Sequence, residues 1–170
     1  MERVNKGRLT VDFGDVDEVV VFLIGMRINK LHRPDQWLPV FAAMPKMIAE
    51  LVKAPDSGLL ARPRTFLSGR TNVLVQYWAS FEQLNDYARA ADKEHLPAWR
   101  AFNRRTRDNG AVGIYHETYR VPVDRIEAIY GNMPTFGLGQ AFGTRKPGAG
   151  SQSAAARMGV GDDIPAVEPY

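Results

Sequence analysis

Apolar and polar residues alternate along this chain with two different periods, and the switches between them mark its elements. Residues 19–29 (VVVFLIGMRIN) form an almost continuous apolar run with Gly25 inside, which suits a central strand covered on both faces. Its even-numbered set, Val20, Phe22, Ile24, Met26 and Ile28, is the expected helix-packed face. The run ends in Arg27 and Asn29, polar groups where a buried strand opens toward a cavity or a neighbour. Residues 33–35 (RPD) break it, and Trp37, Val40, Phe41, Met44, Ile48 and Leu51 then recur at three- and four-residue steps, the period of an amphipathic helix. Pro45 falls inside that helix, removes a hydrogen bond and crowds the preceding turn, so two segments or a kink are expected.

Residues 65–69 and 73–79 read as the two strands of a hairpin turning through residues 70–72. Ser80 and Gln83 stand three apart in a capping-box arrangement, so a helix starts at about Phe81. It is expected to bury Phe81, Leu84 and Ala88, to pause near residues 91–92, and to resume through His95, Leu96, Trp99 and Phe102 until Asn109 and Gly110 stop it. His95, Trp99 and Phe102 share one helical face by their spacing.

Residues 112–121 alternate β-branched and aromatic side chains with polar ones until Pro122, which cannot donate to a ladder; this is the last strand. Its alternation sets Tyr115, Glu117 and Tyr119 on one face and Ile114, His116 and Thr118 on the other. Both faces are apolar around these groups, so Glu117 or His116 is expected to be partly buried, and Glu117 to hold an Arg, Tyr or His partner, because an unpaired buried carboxylate is costly. Residues 125–130 read as a short helical turn and residues 130–138 as a glycine-rich loop closing one end of a pocket, with Met133 and Phe136 as apolar cover.

The order strand, helix, strand, strand, helix, strand is the split β-α-β, or ferredoxin-like, pattern of an α+β fold. Right-handed crossovers turn it into one four-stranded antiparallel sheet with both helices on one face. The other face keeps apolar residues, and covering it with a second subunit makes a homodimer. The domain boundaries expected are an N-terminal arm at 1–17, with a short strand at 9–13, the ferredoxin-like domain at 18–144, and a flexible tail at 145–170, rich in Gly, Ala, Ser and Pro and dispensable for folding.

Composition narrows the chemistry. The 170 residues, 45% hydrophobic and 24% charged, suit one globular domain. The net charge of +3 is concentrated in Arg100, Arg104, Arg105 and Arg107, which interleave with Trp99 and Phe102 as a solvated helix face and accompany no nucleic-acid-binding motif. The absence of cysteine removes disulfides and thiolate chemistry. The longest apolar run falls far short of the roughly 20 residues of a membrane helix, so neither a membrane nor a nucleic acid is an expected partner and a cytoplasmic location is the default. No P-loop, HExxH or GxSxG element occurs, and the glycines of residues 137–143 do not fit a dinucleotide fingerprint. His95, His116 and Glu117 superficially form a two-histidine, one-carboxylate metal set, but neighbours on a regular strand diverge.

Tyr77-Trp78, the helix with His95 and Trp99, residues 113–119 (GIYHETY), and Glu127 with residues 129–134 (IYGNMP) resemble the monooxygenase-like family of the dimeric α+β barrel superfamily, over about residues 19–142. The resemblance implies the ferredoxin-like dimer reached above and an apolar small-molecule pocket between sheet and helices. It implies an oxygenase-type enzyme acting on an apolar or aromatic small molecule in secondary metabolism. Arg27, Trp78, Trp99, Phe102, Tyr115, Tyr130, Asn132 and Phe136 would then bind substrate. His95 or His116 would move protons and Glu117 would orient a histidine or act as base. Related barrels leave two alternatives: a haem protein, with His95 as the ligand candidate, and a non-catalytic small-molecule binding module.

Overall fold

The computed structural model describes residues 3–90, 95–106 and 109–164. In chain order its elements are β1 (Asn5–Val11), β2 (Glu18–Ile28), α1 (Pro34–Lys53), β3 (Arg64–Ser68), β4 (Thr71–Trp78), α2 (Phe81–Arg89), α3 (His95–Thr106), β5 (Val112–Pro122), β6 (Ile129–Met133), α4 (Gly137–Phe142), β7 (Thr144–Arg145) and α5 (Ala154–Arg157). They divide into two compact units, one of Val20–Tyr119 and one of Met1–Val19 with Arg120–Tyr170.

The first unit carries a four-stranded sheet in the order β3-β4-β2-β5. Strand β4 slots between β3 and β2, which is the split that defines the ferredoxin-like pattern, and it runs antiparallel to both. Its register against β2 sets Val20 opposite Trp78, Phe22 opposite Gln76, Ile24 opposite Leu74 and Met26 opposite Asn72. Directly opposed residues share a face, so the expected even-numbered face of β2 lies beside the buried face of β4. Val20, Trp78, Leu51 of α1 and Leu84 of α2 close over that face as a buried core. Burying such side chains contributes about 1.5–3 kcal/mol each.

Three local details depart from expectation. Helix α1 runs for 20 residues as one element through both Pro39 and Pro45. Each proline takes a donor from the carbonyl four residues back, at Asp35 and Phe41, but these residues are exposed, so water can serve those acceptors. The hairpin turns through Gly69 and Arg70, one step earlier than the apolar pattern suggests, because Gly69 accepts φ of +56° at little cost. Helix α2 begins at Phe81, as expected, with Ser80 Oγ accepting from Gln83 N at 3.1 Å. Phe81 itself is exposed, and the buried stripe of this helix begins at Leu84.

The second unit holds a three-stranded sheet in the order β6-β1-β7. The expected arm is therefore the central strand of a sheet: Leu9 pairs with Tyr130, Thr10 with Ile129, and Val11 with Thr144. The expected helical turn at 125–130 is instead a single 3-10 turn at Val123–Arg125 leading into β6, and the expected loop at 130–138 is β6 followed by the start of α4. The register of β1 shifts between Asn5 and Arg8, where Gly7 takes φ of +84°. The segment beyond Arg145 also differs from a free tail. Arg157 forms an ion pair with Glu127 and donates to the carbonyls of Ser151 and Gln152, and Arg8 donates to Gln152 O at 2.9 Å. Polar anchoring, invisible to apolar periodicity, orders this stretch. Among the described residues no helix is long and apolar enough to cross a membrane.

Candidate functional site

The sheet face of the first unit that packs on helices also hollows out between them. A cavity of about 190 Å³ lies over Ile24 and Met26 of β2 and Ile114 of β5, walled by Val40, Ala43, Met44 and Met47 of α1 and by Trp99 and Phe102 of α3. The even set of β2 faces the cavity because the two-residue period puts it there. Val40, Met44 and Met47 join it because steps of four and three keep them on one face of α1. Trp99 and Phe102 stack with centroids 5.5 Å apart. Trp99 is also partly exposed, so the pair stands at the rim. A smaller cavity of about 40 Å³ adjoins, sharing Ile24, Met44 and Met47, and bounded further by Phe22, Gln76, Trp78, Leu84 and Tyr87.

Chemically, this is an apolar slot with one polar corner. Gln76 is 5% exposed, and its Oε1 accepts from Trp78 Nε1 at 2.9 Å. The methionines and Gln76 were not singled out by sequence. The signal for the methionines was present, since the helical period of α1 and the even set of β2 name the residues that must meet. Gln76 carries no such signal, because a glutamine in an alternating strand reads as solvent-facing.

Of the expected site residues, Trp99 and Phe102 line the larger cavity and Trp78 lines the smaller. His116 lies on the same side of the sheet: its ring sits 5.9 Å from that of Phe22. It is exposed rather than buried, as is Glu117, because β5 is the edge strand of this sheet and neither face is sealed around its outer half. Glu117 has a tyrosine partner of the expected kind, accepting from Tyr119 Oη at 2.7 Å. That hydrogen bond, which stabilises the phenol against losing its proton to a site beside a carboxylate, raises the Tyr119 pKa above the ordinary phenolic value.

Other expected binders point elsewhere. Tyr115 occupies the opposite face, where its ring lies over Gly25, and Arg27 shares that face, donating to Thr71 Oγ1 at 3.2 Å. Both were expected at the pocket; strand alternation takes them away from it once β2 and β5 are in register with the helices. Tyr130, Asn132 and Phe136 belong to the second unit. Tyr130 Oη accepts from Gly139 N at 3.0 Å, and burial raises its pKa above the usual phenolic value. Asn132 takes φ of +52° and its Oδ1 accepts from Gly7 N at 2.9 Å, spanning the shift in the β1–β6 register. Phe136 caps α4 from the residue before it. His95 opens α3, but its side chain lies outside what the structure describes, and no contact can be assigned to it.

Fold and cavity together define a ferredoxin-like α+β domain with an apolar slot between its sheet and its two principal helices. The chain belongs to the monooxygenase af470-like family, whose model matches residues 19–138. Membership places it among monooxygenase-like proteins and accords with the resemblance read over about residues 19–142. No curated protein matches the sequence. Among solved structures, it is similar to an aldoxime dehydratase in complex with butyraldoxime, at 14% identity and a TM-score of 0.51, over 81% of this chain and 43% of that one. It is also similar to SnoaB, a cofactor-independent oxygenase from Streptomyces nogalater, at 16% identity and a TM-score of 0.41, over 61% of this chain and 91% of that one. A conserved protein from Bacteroides thetaiotaomicron matches at 15% identity and a TM-score of 0.45, over 62% of this chain and 99% of that one. At these identities the likeness is one of fold.

Proposed function

We propose that the protein is an oxygenase-type enzyme that binds an apolar or aromatic small molecule of secondary metabolism in the slot between β2, β5, α1 and α3. The observation that carries this is the lining: methionine, aliphatic and paired aromatic side chains enclose a volume suited to an apolar ring system. Membership in the monooxygenase-like family supports the reaction class. Binding there removes the substrate from water and orients it against the sheet. His116 stands on the cavity side beside Phe22, where an imidazole serves as proton acceptor for a substrate that must be deprotonated before it reacts with oxygen.

The haem alternative rests on an imidazole ligand. The side chain of its candidate His95, at the start of the helix that walls the cavity, lies outside the described residues, so no residue is assigned to hold that group and no step is routed through it. We propose further that the face carrying Val21, Leu23, Val73, Val75, Tyr115 and Tyr119 packs on its counterpart in a second subunit, since an apolar sheet face is stable only when covered.

The test is oxygen uptake, and incorporation from isotopically labelled dioxygen, with a panel of polycyclic phenols and apolar ketones. His116→Ala should lower kcat by about 100-fold with KM nearly unchanged, whereas Trp99→Ala should mainly raise KM. Failure of every panel member to consume oxygen while still binding would leave a binding module. A Soret band in the protein as purified would replace this reading with the haem one.

A further inference from the structure

We infer that the ligand of this slot is an elongated apolar molecule bearing a neutral hydrogen-bond acceptor, such as a ketone oxygen, at the end that reaches Gln76. The inference rests on the slot being the binding site and adds what the ligand must offer there. An indole N–H only donates, so the Gln76 amide must turn its oxygen toward Trp78 Nε1, and the 2.9 Å contact is that bond. The amide nitrogen is thereby left as a donor. It makes no hydrogen bond among the described residues and keeps a little accessible surface, although the residue as a whole is only 5% exposed and borders the smaller cavity. A ligand oxygen in that cavity would give this donor the acceptor it lacks among the described residues. The volume of about 40 Å³ exceeds the roughly 10–15 Å³ that one water needs, which leaves room for a carbonyl and an adjoining methyl group.

Length follows from the partition between the two cavities. Ile24, Met44 and Met47 line both, and two of these three are unbranched thioethers that change rotamer readily. A ligand anchored at Gln76 therefore extends between the methionines toward the Trp99–Phe102 pair. None of the described residues lining either cavity carries a formal charge, which favours a neutral oxygen over a carboxylate.

Calorimetric binding of methyl ketones of increasing chain length, beside the matched 2-methyl-1-alkenes in which a methylene replaces the oxygen, tests this directly. The ketones should bind about tenfold more tightly, the scale of one net hydrogen bond, and affinity should climb with length before levelling off. Gln76→Leu should abolish the ketone advantage and leave alkene affinity within about twofold. Trp78→Phe offers a second route should Gln76→Leu fail to fold: freed of the indole, the amide can present its oxygen, so secondary alcohols should gain on ketones. Equal binding of ketone and alkene to the unaltered protein, or a ketone advantage that survives Gln76→Leu, overturns the inference and leaves the slot as an apolar site. Absence of binding by every probe overturns both the inference and the proposed function.

Discussion

At Gly25 the two faces of the central sheet compete for one position. A Cβ built there would collide with the backbone oxygen of Asn72 and come within 2.5 Å of the Tyr115 ring, so glycine is the residue that lets the ring cross β2. Gly25→Ala should lower stability by about 2 kcal/mol or more through overpacking, read as a drop in melting temperature. Gly25→Ala combined with Tyr115→Leu should recover only part of it, because the clash with Asn72 remains. The glycine inside the apolar run was visible in the sequence as an anomaly, yet its cause, a ring from a strand some 90 residues later, was not. His116 and Glu117 show the opposite case. Adjacent strand residues must diverge, and they do; the burial expected of them failed because edge position is a property of the sheet, not of the local pattern.

Among elements, the segment around α5 shows how polar bonds order a stretch that apolar spacing leaves unassigned. The Arg157 side chain is 8% exposed and pairs with Glu127, just ahead of β6. Arg157→Met should cost about 2 kcal/mol, since it strands a partly buried carboxylate, and truncation after Arg145 should lower the melting temperature of this unit rather than leave it unchanged. Nearby, Asp163 accepts from the amides of Ser153, Gly150 and Gln152, and these bonds hold its pKa below the ordinary carboxylate value. A depressed folded-state pKa means that this contribution is present above the unfolded value of about 3.9 and is lost as pH falls through the lower folded one. Amide exchange at Gly150, Gln152 and Ser153 should therefore accelerate selectively in that acid window, and Asp163→Asn should show fast exchange already at neutral pH. Unchanged protection in the variant would remove Asp163 from the role.

For the whole molecule, the proposed pairing of sheet faces makes a prediction independent of catalysis. Sedimentation at low concentration should give a dimer, and Tyr115→Lys with Tyr119→Lys should shift it toward monomer by placing like charges across the interface. A monomer in the unaltered protein would send the search for what covers this face elsewhere. Expected boundaries at residues 17 and 144 gave way to units that exchange chain within β2 and β5, because β1 pairs with β6 more than 100 residues away. Pairing at that distance leaves no local mark.

What the sequence determined by itself is what local physics dictates: the even face of β2, the helical stripe of α1, the Ser80 cap of α2, the divergence of His116 from Glu117, and through their order the split β-α-β pattern. The family resemblance was legible in other blocks: Tyr77-Trp78, the helix with His95 and Trp99, residues 113–119, and Glu127 with residues 129–134. Only the tertiary structure decided that Tyr115 and Arg27 turn from the slot, that Gln76 forms its polar corner, that Asn132 spans a shifted register, and that β1 shares a sheet with β6 and β7. Each of these depends on which distant segments lie side by side, and periods of two and 3.6 residues assign a residue to a face without stating what that face will meet.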